Sequence, residues 1–427
     1  MTKFIINGKN PINGTVTVSG SKHAAISMIM GAMLTDEEVI INNVPDILDV
    51  HYATSYVRTR GYNVDWINKN RVRIIKRHSS FWPSFSATQF RYSLLDLGIQ
   101  LARTGNVKII LPGGCKLGKR AHNFHVDGLA KMGADLDNIG SAGITGYAKL
   151  WGSDIILPYP SVSATLNLIC AASLANGKTT IDGAARNPEV QDFIYFLRQM
   201  GAEVEWTNER LLSIRGVREL HGTKYTVMGD RIEALTFIIA TAIAGGDVQV
   251  ERCRQRTIRA EIRKLMEIGV DIISTGNGIR VRNSNKAPYH PVLISTSAYP
   301  GFHTDVQPLI TALLATVPGR SYVSEWINND RFRYVDGLNN MGANIKIINE
   351  DWSCVNGENG QRLFFDGTKL HGALVQAPDL RGGAALVLAA LGAEGQTVIS
   401  NAEQIDRGYE WIDEKLRSLG ADIRREG

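Results

Sequence analysis

The stretch FIYFLRQMGAEVEW, residues 193–206, changes its periodicity at a single glycine. Before Gly201 the apolar residues recur at helical spacing, and after it they alternate, so Gly201 reads as a helix C-cap that turns the chain into a strand. The phrase recurs as TRGYNV at Gly61, KMGADL at Gly133, EIGVDI at Gly269, NMGANI at Gly342 and SLGADI at Gly420. A period of about 70 residues marks a sixfold internal repeat, each copy ending in helix, glycine and strand. About 25 residues ahead of each phrase lies a second turn followed by an alternating run: LTDEEVII, RTGNVKII, LANGKTTI, AGGDVQV, TVPGRSYV and GAEGQTVI. Those turns end a different helix.

That earlier helix opens in each repeat on a polar or charged cluster: SGSKHAAI around Lys22, ATQFRYSLL at Arg91, PSVSATLN at Ser161, GDRIEALT at Asp230, HTDVQPLI at Asp305 and PDLRGGAA at Asp379. Ser and Asp are N-cap types, and DRIE is a variant of the capping box. Three repeats packed about a pseudo-threefold axis bring three such N-termini to one end of a domain. Two domains facing one another would aim six at one cleft, where free N–H groups and helix dipoles favour an anion. Lys22, Arg91, Arg231 and Arg381 lie at or near these ends. The unit that opens at SGSK follows a lone first strand, and the fourth opens at MGDR. Repeats one to three are therefore expected to form one domain over 22–229. Residues 1–21 and 230–427 are expected to form the other, with hinges near 20–22 and 229–231.

A chain of 427 residues exceeds one ordinary core, which agrees with two domains. Four cysteines, Cys115, Cys170, Cys253 and Cys354, are far apart with no CxxC pair, so neither a zinc site nor a disulfide framework is expected. The longest apolar run, AALVLAALGA at 384–393, is far short of the roughly 20 residues of a membrane span. With no signal-peptide pattern in MTKFIINGKN, a cytoplasmic protein without membrane partners is expected. Lys and Arg total 47 against 42 Asp and Glu. That small excess comes in no basic block, which suits a small anionic ligand rather than nucleic acid.

One cysteine stands apart from core filler. LPGGCKLGKR, residues 111–120, places Cys115 behind two glycines and ahead of two lysines and an arginine. A thiol near positive charge titrates lower and becomes a better nucleophile or proton carrier.

Many spaced phrases, VSGSKHAA, NVPDILDV, LPGGCKLGKR, AARNPEVQD, DRIEALTF, TDVQP, NDRF, PDLRGGAALVLAA and IDRGYEWIDEKL, agree in order with one family. Through them the chain resembles the enolpyruvyl transferases from about residue 3 to residue 423. The resemblance implies an α/β fold, the two-domain inverse α/β barrel, with six βαβαββ units in pseudo-threefold domains. It also implies an enzyme that transfers the enolpyruvyl group of phosphoenolpyruvate to a hydroxyl and releases phosphate. No cofactor and no metal are expected, since phosphoenolpyruvate is a co-substrate.

The same resemblance assigns roles. Cys115 is expected to protonate the methylene carbon, and Asp305 to act as base for the acceptor hydroxyl. Lys22, Arg120 and Arg407 are expected to hold the phosphate, with Arg331 and Arg381 forked onto the carboxylate and Arg91 adding charge. Thr304, beside Asp305, is a candidate substrate contact, and His125 and Ser161 match family positions near the nucleotide. The match thins on the acceptor side. His23 stands where the family carries Asn, the usual Arg-Pro-x-Asp reads Arg120, Ala121, His122, Asn123, and Pro160, Ser163, Asn329 and Leu48 replace Lys, Gly, Glu and Lys. The expected acceptor is a uridine nucleotide, the 3-OH of UDP-N-acetylglucosamine in peptidoglycan synthesis. UMP, as in nucleoside-antibiotic pathways, is the alternative, and a non-catalytic nucleotide-binding paralogue is the reading from a different class. Shikimate 3-phosphate is less expected, because the sister family that uses it lacks the GGC loop.

Overall fold

A computed structural model describes residues 2–77, 91–110, 123–138, 143–283, 288–353 and 359–427. Its helices, in chain order, are α1 (Lys22–Gly31), α2 (Leu48–Thr59), α3 (Leu95–Thr104), α4 (Asn123–Lys131), α5 (Val162–Ser173), α6 (Pro188–Gln199), α7 (Arg231–Ala244), α8 (Arg259–Ile268), α9 (Gln307–Leu314), α10 (Val335–Asn340), α11 (Leu380–Gly392) and α12 (Ile412–Ser418). Each even-numbered helix ends just ahead of one of the six repeated glycines. All six have positive φ, between 83° at Gly61 and 109° at Gly269, a region that costs a side chain but not glycine. A strand begins within three residues of each, as at Tyr62–Asn68 and Glu203–Trp206.

The two kinds of helix differ in what they bury. Apart from the amphipathic α3, the odd-numbered helices are apolar on nearly every side, and α11 is buried at all positions from Leu380 to Gly392. Such a helix belongs inside a core. The even-numbered helices bury one stripe, as α8 does with Ile262, Leu265 and Ile268. The strands form six sheets of three or four among the described residues. In the third repeat Lys178–Asp182 runs parallel to Asp154–Ile156 and antiparallel to Leu211–Arg215, which in turn pairs with Glu203–Trp206.

The chain divides into two compact units. Among the described residues, one takes in those from Gly20 to Met228, and the other joins those up to Ser19 with Gly229–Gly427. In the first unit α3 packs against α1 and α5; in the second α7, α9 and α11 pack against one another. Each unit has its own apolar core. The N-terminal strands explain why the second unit is discontinuous. Lys3–Asn7 lies between Gln396–Ser400 and Asp422–Glu426, and Ile12–Thr17 runs parallel to Gly246–Glu251. Thr223–Thr226 likewise completes the sheet of the first repeat, parallel to Val39–Asn42. The glycines at the two crossings are set by close approach: a Cβ on Gly20 would lie 1.7 Å from the Asn43 carbonyl oxygen, and one on Gly229 would lie 2.2 Å from that of Arg252. Among the described residues no helix is long and apolar enough to cross a membrane.

Candidate active site

In the second unit the fifth and sixth repeats converge on one carboxylate. Asp305 sits in a 3₁₀ turn, Thr304–Val306, that leads into α9. The sequence pattern grouped Asp305 with the helix caps, but His303 accepts the N–H of Asp305 at 3.1 Å and caps this turn. The Asp305 carboxylate reaches two arginines instead. Oδ1 accepts from Nη2 of Arg331, in the turn Asn329–Arg331, and Oδ2 accepts from Nε of Arg381 at 3.3 Å. Arg381 stands in the first turn of α11, whose cap Asp379 accepts the N–H groups of Arg381 and Gly382 at 2.9 and 3.0 Å.

Both guanidiniums are 3% exposed. Burial by itself would lower the pKa of Arg331, but the Asp305, Glu325 and Asp379 carboxylates outweigh it and hold that pKa above its ordinary value. Arg381 is likewise raised against burial, by Tyr409 and then Asp305 and Asp230, and its Cζ lies 5.1 Å from the Tyr409 ring centre. Each guanidinium keeps one buried N–H without a hydrogen-bond partner, Nε of Arg331 and Nη2 of Arg381. A buried unpaired donor is costly. Two of them beside one carboxylate make a site that a planar anion would satisfy. Arg407 is half-buried in the turn just before Tyr409.

In the first unit Lys22 opens α1 and is 6% exposed; its ammonium donates to Asp49 Oδ2, in the first turn of α2, at 2.6 Å. The next residue, His23, shares a hydrogen bond through Nδ1 with the hydroxyl of Tyr92, which follows Arg91 in the 3₁₀ turn Arg91–Leu94. The position that departs from the family is thus engaged by a neighbouring side chain of the same unit. Ser161 caps α5, its Oγ accepting from Ala164 at 3.4 Å. His125 is 1% exposed, with Nε2 3.1 Å from Ser163 Oγ and Nδ1 3.1 Å from Asn167 Nδ2. An amide NH₂ only donates, so Nδ1 accepts and Nε2 carries the hydrogen that goes to Ser163. Asn167 continues the chain by accepting from Gly98 at 2.8 Å. His125 and Ser163 therefore belong to a tie joining α3, α4 and α5. Asn123 is exposed at the start of α4.

Cys115 and Arg120 lie outside the described residues. Among the described residues no group of three His, Cys, Asp or Glu side chains is placed to hold a metal ion. Sequence reasoning missed Asp49, Tyr92, Glu325 and Tyr409. Two had a signal: Asp49 lies inside the quoted NVPDILDV, and Tyr409 inside IDRGYEWIDEKL.

The sequence pattern of the EPSP synthase (3-phosphoshikimate 1-carboxyvinyltransferase) family matches residues 6–416. The chain is 40% identical, over its whole length and 97% of the relative's, to a UDP-N-acetylglucosamine 1-carboxyvinyltransferase of Koribacter versatilis. It is also 40% identical, over its whole length and 99% of the relative's, to UDP-N-acetylglucosamine 1-carboxyvinyltransferase 2 of Carboxydothermus hydrogenoformans. Among solved structures, the enolpyruvyl transferase NikO from Streptomyces tendae is similar with a TM-score of 0.84 at 23% identity, covering 100% of this chain and 99% of its own. An EPSP synthase from Acinetobacter baumannii is similar with a TM-score of 0.72 at 19% identity, over 100% of both chains. Those two likenesses concern the fold.

Proposed function

The chain belongs to the EPSP synthase family of enolpyruvyl transferases, and from that premise we propose that it transfers the enolpyruvyl group of phosphoenolpyruvate to the 3-OH of UDP-N-acetylglucosamine, releasing phosphate. The observation that carries the chemistry is the Asp305 carboxylate held between two buried arginines that each keep a spare N–H. The acceptor rests on full-length relatives at 40% identity named for that substrate. They do not favour UMP, and the half-buried, Tyr92-bonded His23 is by itself no reason to prefer it.

In the proposed reaction Arg331 and Arg381 fork onto the carboxylate of phosphoenolpyruvate. That anion competes with Asp305 for the guanidiniums, and a carboxylate oxygen released from a cation is a better proton acceptor. Asp305 then takes the proton of the acceptor hydroxyl as its oxygen bonds to C2, while Cys115 delivers a proton to the methylene carbon C3. Loss of phosphate from C2 and of a proton from C3 restores the double bond, so the net products are the enolpyruvyl ether and phosphate. Lys22, Arg120 and Arg407 are assigned to the phosphate, and Arg91 to supporting charge.

The test is phosphate release from phosphoenolpyruvate with UDP-N-acetylglucosamine, UMP and shikimate 3-phosphate offered in parallel. Turnover with the amino-sugar nucleotide is expected. Turnover confined to UMP, or none with any acceptor, overturns the proposal. In the same assay Arg331→Lys keeps the charge but loses the planar fork. The KM for phosphoenolpyruvate should rise roughly 10- to 100-fold while that for the acceptor changes little. An unchanged phosphoenolpyruvate KM would mean that the carboxylate is held elsewhere.

A further inference from the structure

Glu325 ends the strand Arg320–Glu325 and is wholly buried, an unusual place for a carboxylate. Burial raises its pKa, opposed by the Arg331 charge and by the N–H groups of Asn328 and Ile327. Its hydrogen bonds run to both sides of the arginine-carboxylate cluster. The hydroxyl of Thr304, the residue before Asp305, lies 3.0 Å from each carboxylate oxygen. Oε1 also accepts the N–H of Ile327 at 2.8 Å and of Asn328 at 3.0 Å, which fixes the bend that delivers Arg331 three residues later. Thr296 adds a further bond to Oε1 at 3.0 Å, and its Oγ1 accepts the N–H of Trp326 at 2.9 Å.

The segments that carry Asp305 and Arg331 are 26 residues apart in sequence. Nothing in local propensity sets their relative position, yet one buried side chain bonds to both. We propose that Glu325 is a positioning residue for enolpyruvyl transfer, holding Asp305 through Thr304 and Arg331 through the 327–328 backbone. This rests on the roles given above to Asp305 and Arg331. Three of the hydrogen-bond partners of Glu325 are the residue beside the base and the two backbone N–H groups of the bend before the arginine, which couples the fold of this segment to the geometry of the site. Misplacing a reacting group by as little as about 1 Å can cost on the order of 100-fold in rate.

The test compares wild type with Glu325→Gln, which keeps the volume but turns one acceptor into a donor facing the Thr304 hydroxyl. Wild-type turnover in the same assay tests the reaction itself, separately from the variant. Glu325→Gln should lower kcat roughly 10- to 100-fold and raise the KM for phosphoenolpyruvate, with acceptor affinity by calorimetry unchanged. Thr304→Val should reproduce the fall in kcat, and adding Glu325→Gln to it should cost little more, because both cut one connection. Thr304→Ser, which retains the hydroxyl, should recover most of the rate. A variant with a lowered melting temperature but wild-type kcat and KM overturns the proposal, and so do fully additive losses in the double variant. If Glu325→Gln does not fold, wild-type kinetics in Thr304→Val overturns it equally.

Discussion

Asp305→Asn is expected to lower turnover by roughly 10² or more, because the amide keeps the shape of the carboxylate but does not take the proton of the acceptor hydroxyl. The geometry adds a second, opposite effect. In the wild type Asp305 is the anion between Arg331 and Arg381, both 3% exposed. Removing that charge leaves two buried cations short of a partner, a change that costs on the order of 3 kcal/mol in comparable buried pairs. The variant should therefore melt at a lower temperature. Phosphoenolpyruvate, whose carboxylate supplies the missing charge, should raise its melting temperature by more than it raises that of the wild type. Turnover within threefold of wild type would assign the hydroxyl proton to another group, and equal stabilisation of both proteins would separate the arginines from the substrate carboxylate.

The second large effect concerns Cys115. An epoxide mimic of phosphoenolpyruvate, fosfomycin, should inactivate the enzyme and add one inhibitor mass, and Cys115→Ser should abolish labelling while leaving the melting temperature in place. Two of the other thiols are poor competitors in the folded protein. Cys170 is fully buried and Cys253 is 4% exposed. Burial pushes the Cys170 thiol well above its usual range and the Cys253 thiol up to about 12, so both are protonated and unreactive at neutral pH. Peptide mapping identifies the labelled residue. A mass found on Cys170, Cys253 or Cys354 would remove the loop cysteine from the reaction.

The division between sequence and tertiary structure follows from how far each signal reaches along the chain. A glycine after an amphipathic helix acts within a few residues, so all six helix-to-strand turns were legible, and every one has the positive φ that favours glycine. The uniformly apolar character of α11 and the single stripe of α8 are also local patterns, and burial follows them: α11 is buried throughout, α8 along one stripe. Caps were legible where the side chain bonds to its own helix, as at Asp230 and Asp379. They failed at Asp305, because the guanidiniums of Arg331, later in the same repeat, and of Arg381, in the next, bind its carboxylate and a histidine two residues earlier takes over the turn. The partners of Asp305 lie 26 and 76 residues away, that of Lys22 lies 27 away and that of His23 lies 69 away. No propensity or period connects such pairs. Sequence by itself determined the repeat, the presence of two helices in each copy and, through resemblance, the reaction. Only the tertiary structure decided which charges are buried against one another, because desolvation and ion pairing depend on distances that packing alone sets.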